Sequence, residues 1–106
     1  MVIEWLRFKV QERHREKFIY HDRLIWTEFL SSVSGFLGKE VWIEPQNSNN
    51  IVLVIRWNTK EEWKSISSED LDKVKQHFDA VMNQLNIQYK SVGFAEYQVR
   101  KFANTP

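Results

Sequence analysis

Asp22 is the side chain whose position in the sequence points most directly to chemistry. It lies in HDRLIWTEFL, residues 21–30, where the apolar spacing predicts a helix. At about 100° per residue, Asp22 falls near the middle of the apolar sector of that helix. A carboxylate in apolar surroundings has to be neutral, paired or hydrogen-bonded. We therefore expect Asp22 to pair with a basic side chain such as Arg7, to reach water through a small rotation of the helix, or to face a cavity. In a cavity it would act as a base or hold a ligand.

Tryptophan is abundant for a chain of 106 residues, and there are five of these side chains. A small domain buries only some of its rings, so the others are expected in a cavity or a partner interface. Trp26 lies four residues after Asp22 and shares its helix face, which suits the binding of a flat ligand. The predicted ligand-binding residues are Trp26, Trp57, Trp5, Trp63 and Arg7.

His77 is the histidine with a candidate role, on the flank of the second predicted helix. Two interpretations stay open: an ordinary surface histidine, or a catalytic partner of Asp22. Because the chain has no cysteine and no helical His-x3-His pair, we predict no metal site. The sequence also has no G-x-S-x-G elbow, and its three glycines form no phosphate-binding loop.

Composition restricts the class of protein. The length predicts a single domain, residues 1–106, and 42% hydrophobic residues indicate a globular chain. Fifteen basic and fourteen acidic residues give a net charge of +1, so nucleic acid and membrane surfaces are not expected partners. The absence of cysteine and the charged residues near the N-terminus favour a cytoplasmic protein.

The secondary structure pattern alternates strands and helices in a recognisable order. Apolar periodicity predicts two helices, Arg15–Val33 and Ser68–Leu85, with Gly35 as a C-cap. The predicted strands are Val2–Val10, Lys39–Glu44, Ile51–Trp57 and Phe94–Phe102. The fold class is therefore α+β: a ferredoxin-like β-α-β-β-α-β domain, with an antiparallel sheet and both helices on one face.

The third predicted strand, IVLVIRW, is apolar on both faces. Since the helices cover one face, a second copy of the chain is the simplest cover for the other, which predicts a homodimer. A single-stranded RNA binder with the same strand order would need Gly and Phe or Tyr in this strand. Because this strand has neither, that class is not favoured.

Two stretches, GFLGKEVW (residues 35–42) and RWNTKEEW (residues 56–63), follow Asp22 and Trp26 in the chain. With the β-α-β-β-α-β order, this pattern resembles the antibiotic biosynthesis monooxygenase superfamily of dimeric α+β barrel proteins. Within that superfamily it is most similar to a group of small, uncharacterised cyanobacterial proteins. The resemblance covers nearly the whole chain.

The resemblance implies a ligand site between helices and sheet, where some members oxidise aromatic polyketides without a cofactor. Members that degrade haem use an Asn on the first strand, a Trp after the third and an axial His on the second helix. His77 is near that axial position and Trp63 is offset from the Trp position, but the first strand has no Asn. We therefore expect no haem or other cofactor.

The sequence thus favours a small-molecule-binding dimer that resembles a cofactor-free monooxygenase acting on an aromatic or flat substrate. The alternative is a non-catalytic ligand-binding or assembly module on the same scaffold.

Overall fold

The computed structural model describes residues 1–100, which form a four-stranded antiparallel sheet with the helices packed on one side. The strands are β1 (Val2–Val10), β2 (Phe36–Ile43), β3 (Asn50–Trp57) and β4 (Tyr89–Gln98). Their order across the sheet is β2-β3-β1-β4, and every neighbouring pair is antiparallel. This arrangement confirms the ferredoxin-like prediction, including the hairpin of β2 and β3.

Side-chain alternation along β1 decides what each face of the sheet carries. Successive residues of a strand point to opposite faces. The even-numbered residues of β1, from Val2 to Val10, face the helices, whereas Ile3, Trp5 and Arg7 lie on the outer face. The bounds of β1 are those that the periodicity predicts.

Helix α1 differs from the uniform helix that was predicted for Arg15–Val33. It has an α-helical part, Arg15–Asp22, a π-helical part, Arg23–Thr27, and a last α-helical turn, Glu28–Leu30. A π-helical turn holds an additional residue, so a wheel drawn at 100° per residue loses its register after Asp22. Gly35, the predicted C-cap, lies five residues beyond the helix with φ of 87°, which is left-handed backbone.

The remaining elements correct several predicted boundaries. β2 begins at Phe36 rather than Lys39, and a short helix, α2 (Lys60–Lys64), was not predicted. Helix α3 covers Ser68–Gln84, and the Ser67 hydroxyl accepts the expected capping hydrogen bond from the Asp70 amide. The last strand starts at Tyr89 rather than at the predicted Phe94. An irregularity in its pairing with β1 near Gly93 interrupts the alternation of side chains there without ending the strand. Residues 101 and 102 of the predicted strand lie outside the described residues.

The core between sheet and helices is rich in aromatic contacts. Phe18 of α1 and Phe78 of α3 meet edge to face, with ring centroids 5.4 Å apart. Tyr89 of β4 contacts both of these rings and Phe8 of β1. A second group, Leu30, Ile55, Trp57 and Trp63, fills the other end of the same layer. Both helices are therefore anchored to the inner face of the sheet.

The outer face carries an apolar cluster without a helix over it. Ile3, Val52 and Val54 are buried there, partly because Trp5 packs against them. Neighbouring side chains therefore cover these two valines in the single chain. Trp42 and Tyr97 instead leave 46% and 58% of their surface exposed. Within residues 1–100, no helix has both the length and the apolar character needed to cross a membrane.

Candidate functional site

A large cavity separates the helices from the inner face of the sheet, and it has a volume of about 1050 Å³. We call it the helix–sheet cavity. Three of the predicted site residues line it: Asp22, Trp26 and Trp63. Much of the remaining wall is apolar, with Leu6 and Leu53 from the sheet and Phe18 and Met82 from the helices. Its volume is at the upper end of those found for small-molecule sites.

Asp22 forms a buried ion pair across this cavity wall. Its Oδ2 lies 2.5 Å from Nζ of Lys39, and each of the two side chains is only 4% exposed. Asp22 ends the α-helical part of α1, directly before the π-helical turn, and Lys39 points inward from β2. Within residues 1–100, Oδ1 of Asp22 accepts no hydrogen bond. One carboxylate oxygen therefore stays available to a ligand.

Burial raises the pKa of the Asp22 carboxyl above its ordinary value, although the nearby Lys39 ammonium opposes this shift. A carboxylate with a raised pKa is a stronger base than one in water, and it titrates closer to neutral pH. The site therefore has a group suited to removing a proton, with a cation beside it to stabilise the negative charge that proton removal leaves.

Glu4 is a second, half-buried carboxyl on the sheet side of the cavity, and it is not among the predicted site residues. Its Oε1 accepts a hydrogen bond of 3.1 Å from Nε1 of Trp57. Burial raises the pKa of Glu4, and the Trp57 hydrogen bond and the Lys64 and Lys39 ammonium groups only partly offset this. A signal existed in the sequence: Glu4 interrupts the apolar, inward-facing positions of β1.

The other end of the cavity has its own polar group. Asp79 of α3 accepts a short hydrogen bond from the Tyr89 hydroxyl and pairs with Lys75 at 2.7 Å. Burial and the Asp79 carboxylate raise the pKa of Tyr89, so this phenol stays protonated at neutral pH. Although burial opposes it, the hydrogen bonds from Lys75 and Tyr89 lower the pKa of Asp79. Asp79 is therefore a fixed acceptor rather than a base.

The other predicted site residues lie away from the cavity. Trp57 is fully buried beside Glu4 and does not line the cavity. Trp5 and Arg7 lie on the outer face of the sheet, because odd-numbered residues of β1 point outward. Pairing of Asp22 with Arg7 is therefore wrong: the Arg7 guanidinium donates two hydrogen bonds to Glu44, at 2.6 and 2.7 Å.

His77 lies on the exposed side of α3, next to the buried Phe78, and it does not line the cavity. Across residues 1–100, no group of three or more His, Cys, Asp or Glu side chains is arranged to hold a metal ion. The polar groups of the cavity are carboxylates, ammonium groups, side-chain amides, a serine hydroxyl and a phenol, which suit organic ligands.

No protein-family model matches the chain, and no curated protein matches it. Solved structures of similar fold do match over nearly the whole length. SnoaB, a cofactor-independent oxygenase from Streptomyces nogalater, is 15% identical, with 95% of this chain and 94% of that chain covered and a TM-score of 0.65. A candidate antibiotic biosynthesis monooxygenase from Chloroflexus aurantiacus is 21% identical, with 97% and 96% covered and a TM-score of 0.64.

A dimeric ferredoxin-like protein from an uncultured marine organism is 15% identical, with 99% of this chain and 100% of that chain covered and a TM-score of 0.66. The structural neighbours thus include proteins resembling antibiotic biosynthesis monooxygenases. At these identities the likeness establishes the fold. The predicted similarity to cyanobacterial proteins stays a prediction.

Replacement of Lys39 by Met tests the buried ion pair. The variant leaves the Asp22 carboxylate buried without a cation, which typically costs about 3–5 kcal/mol of stability. We expect this loss in urea unfolding at pH 7, and we expect it to shrink as the pH falls toward about 4. Without the Lys39 cation, the pKa of Asp22 in the folded variant lies even further above its value in the unfolded chain. Protonation at low pH therefore stabilises the folded state and reduces the loss.

Lys64→Met is the matched control, because Lys64 is exposed and contributes to the field at Glu4 without being the partner of Asp22. It should lose less than about 1 kcal/mol. Equal losses in the two variants, or a loss in Lys39→Met that does not change with pH, would contradict the ion pair.

Proposed function

We propose that this protein is an oxygenase of the cofactor-independent kind, which oxidises a flat, largely apolar organic molecule held in the helix–sheet cavity. The observation that carries the proposal is the buried Asp22–Lys39 pair on the wall of an aromatic cavity of about 1050 Å³. The fold, shared with a protein described as a cofactor-independent oxygenase, supports the same reaction class.

The walls of the cavity fit a flat ligand. Trp26 of α1 and Trp63 of α2 present rings to it, and Phe8 and Phe18 add two more. Aromatic side chains bind flat molecules through offset or edge-to-face contacts, which a hydrocarbon surface cannot reproduce. The aromatic rings and the polar groups of the lining together favour a molecule of several rings that carries oxygen atoms.

The proposed chemistry begins with proton transfer. The Asp22 carboxylate takes a proton from an activated methylene group of the substrate, and the Lys39 ammonium stabilises the resulting carbanion or enolate. This anion supplies the electrons that reduce dioxygen, so carbon forms a bond to oxygen and a peroxide results. The proton returns to give a hydroperoxide, which loses water. In balance, a methylene group and a molecule of dioxygen give a carbonyl group and a molecule of water.

The proposal includes no haem. The resemblance would make His77 the axial ligand, yet this imidazole lies on the exposed side of α3, outside the cavity. The proposal also gives His77 no catalytic role, since it cannot reach a ligand that contacts Asp22 without a rearrangement of α3.

A non-catalytic binding module on the same scaffold is the second candidate. It is favoured by the closeness of the Asp22–Lys39 contact, because a carboxylate already paired at 2.5 Å is a weaker base than a free one in the same place. The two candidates differ in whether bound ligand is oxidised.

Oxidation of anthrone, a flat three-ring ketone with an acidic methylene group, tests the proposal. We expect the protein to accelerate oxygen consumption and the formation of anthraquinone. Asp22→Asn should slow this rate at least about 100-fold, because it removes the base while its amide oxygen can still accept the Lys39 hydrogen bond. The measurement is oxygen-electrode kinetics together with absorbance of the quinone.

Asp72→Asn is the control, as it makes the same exchange at an exposed position of α3. Binding of 9-fluorenone, a flat ketone without a methylene group, is measured in parallel by tryptophan fluorescence and should persist in Asp22→Asn. Fluorenone binding without anthrone oxidation by the natural sequence would support the binding module. If neither probe interacts, both candidates fail.

We also propose that two copies pack sheet against sheet. The outer face presents Trp42 and Tyr97 beside the buried Ile3–Val52–Val54 cluster, and such an apolar face is unusual for a surface in contact with water. A structural neighbour is described as dimeric, which supports this assembly. A self-complementary face closes after two copies.

Light scattering at low micromolar concentration tests this assembly. We expect the mass of a dimer for the natural sequence and of a monomer for Trp42→Glu, which places a charge in the proposed interface. Leu24→Glu, at an exposed apolar position on α1, should remain dimeric. A monomeric natural sequence, or a Trp42→Glu variant that stays dimeric, would contradict the sheet-to-sheet contact.

A further inference from the structure

We infer that Glu4 is a second ligand-contacting group of the helix–sheet cavity, one that donates a hydrogen bond to a carbonyl oxygen of the ligand. This inference rests on the proposed function, because it assumes that the cavity binds an oxygen-bearing organic molecule. It narrows the ligand class to flat molecules with a ketone or similar acceptor remote from the carbon that Asp22 deprotonates.

The position of Glu4 follows from the register of the sheet. Glu4 pairs with Ile55 on one side, and Ile55 pairs with Lys39 on the next strand. Glu4 and Lys39 therefore lie in one row on the inner face, two strand spacings or about 10 Å apart. Since Lys39 holds Asp22, a ligand between the two carboxyls meets Asp22 and Glu4 at different atoms.

The two oxygens of Glu4 have different surroundings. Oε1 accepts the Trp57 hydrogen bond, which fixes the plane of the carboxyl group. Within the described residues 1–100, Oε2 makes no hydrogen bond, and it is not among the fully enclosed polar atoms. The Trp57 indole is fully buried and cannot move far, so it orients Glu4 with its second oxygen toward the cavity.

Burial and the nearby charges shift the pKa of Glu4 in opposite directions. Glu96 lies directly opposite on β4, and its charge is compensated by Lys60 at 3.0 Å. Lys64 of α2 and Lys39 of β2 attract a negative charge on Glu4, and Lys39 is itself paired with Asp22. Burial outweighs these cations and raises the pKa of Glu4 above its ordinary value. A protonated carboxyl is a donor, and its O–H can serve a carbonyl oxygen.

The two carboxyls have different proposed roles, proton acceptance by Asp22 and hydrogen-bond donation by Glu4. Asp22 lies beside the Lys39 ammonium group, which favours its ionised form and therefore its role as proton acceptor. Glu4 is hydrogen-bonded to a neutral indole, and in its protonated form it donates a hydrogen bond to the ligand. A hydrogen bond to the substrate carbonyl also stabilises an enolate, because the negative charge of the enolate collects on that oxygen.

Binding of a matched pair of probes tests this role directly. 9-Fluorenone carries a ketone oxygen, whereas fluorene has the same three rings without it. Glu4→Leu should weaken fluorenone binding about tenfold, the usual effect of one lost hydrogen bond, and should leave fluorene binding within about twofold. Glu96→Gln, in the same row but outside the cavity, should match the natural sequence for both probes.

A pH series keeps the test decisive if Glu4→Leu folds poorly, because Glu4→Gln preserves both the Trp57 contact and a donor. The series uses an Asp22→Asn background, so that Asp22 does not titrate. Fluorenone affinity should fall as the pH rises when Glu4 is present, and it should be constant with pH when Glu4→Gln is added.

The outcomes separate this inference from the proposed function. Fluorenone affinity that is unchanged in Glu4→Leu, or that falls equally for fluorene, overturns the role of Glu4 and leaves the oxidation intact. A pH profile that is the same with Glu4 and with Gln overturns it as well. If Glu4→Leu weakens fluorenone binding and not fluorene binding, but the natural sequence does not oxidise anthrone, the role of Glu4 is supported and the oxygenase proposal is rejected. Absence of any probe binding overturns both.

Discussion

The contact between Asp22 and Lys39 constrains this structure more than any other interaction. Neither charge can be left alone at 4% exposure, so the end of the α-helical part of α1 has to lie over β2 where Lys39 points inward. The contact joins a helix to an outer strand of the sheet across the cavity. It therefore fixes the distance between helix and sheet at this wall of the cavity.

The hollow that this contact borders is unusual for a small chain. Protein interiors are packed about as closely as organic crystals, and 106 residues supply little core. A space of about 1050 Å³ between helices and sheet therefore means that side chains there forgo packing contacts that would stabilise the fold. Stability lost in this way is typical of binding sites. The π-helical turn after Asp22 is a further irregularity of the kind found at functional sites.

Polar groups divide the cavity into regions with different chemistry. Asp22 and Lys39 form a charged wall, Glu4 is hydrogen-bonded to Trp57 on the sheet side, and Asp79 is hydrogen-bonded to Tyr89. Aromatic rings line the same cavity. A flat molecule with oxygen atoms on its edges complements this distribution.

Sequence reasoning predicted the sheet well because alternation in β1 and the apolar run of β3 are strong local signals. It also identified Asp22, since a single acid in an apolar helix sector is visible without a structure. The partner of Asp22 was not predictable, because Lys39 reaches it through the packing of α1 on β2. The wheel that placed residues after Asp22 assumed an α-helix, and a π-helical turn has no recognisable sequence signature here.

Glu4 was visible as an interruption of the inward face of β1, but only the cavity and the Trp57 contact give that interruption a meaning. His77 was considered because of its position along α3. Successive residues of an α-helix point about 100° apart, so His77 faces outward although its neighbour Phe78 is buried.

We propose that the buried ion pair is kept for chemistry rather than for stability, and the double variant Asp22→Leu with Lys39→Met tests this directly. Apolar replacement of a whole buried pair is usually neutral or stabilising. We expect a free energy of unfolding at least equal to that of the natural sequence, together with complete loss of anthrone oxidation. Oxidation that persists in the double variant, or a stability loss as large as that of Lys39→Met alone, would contradict it.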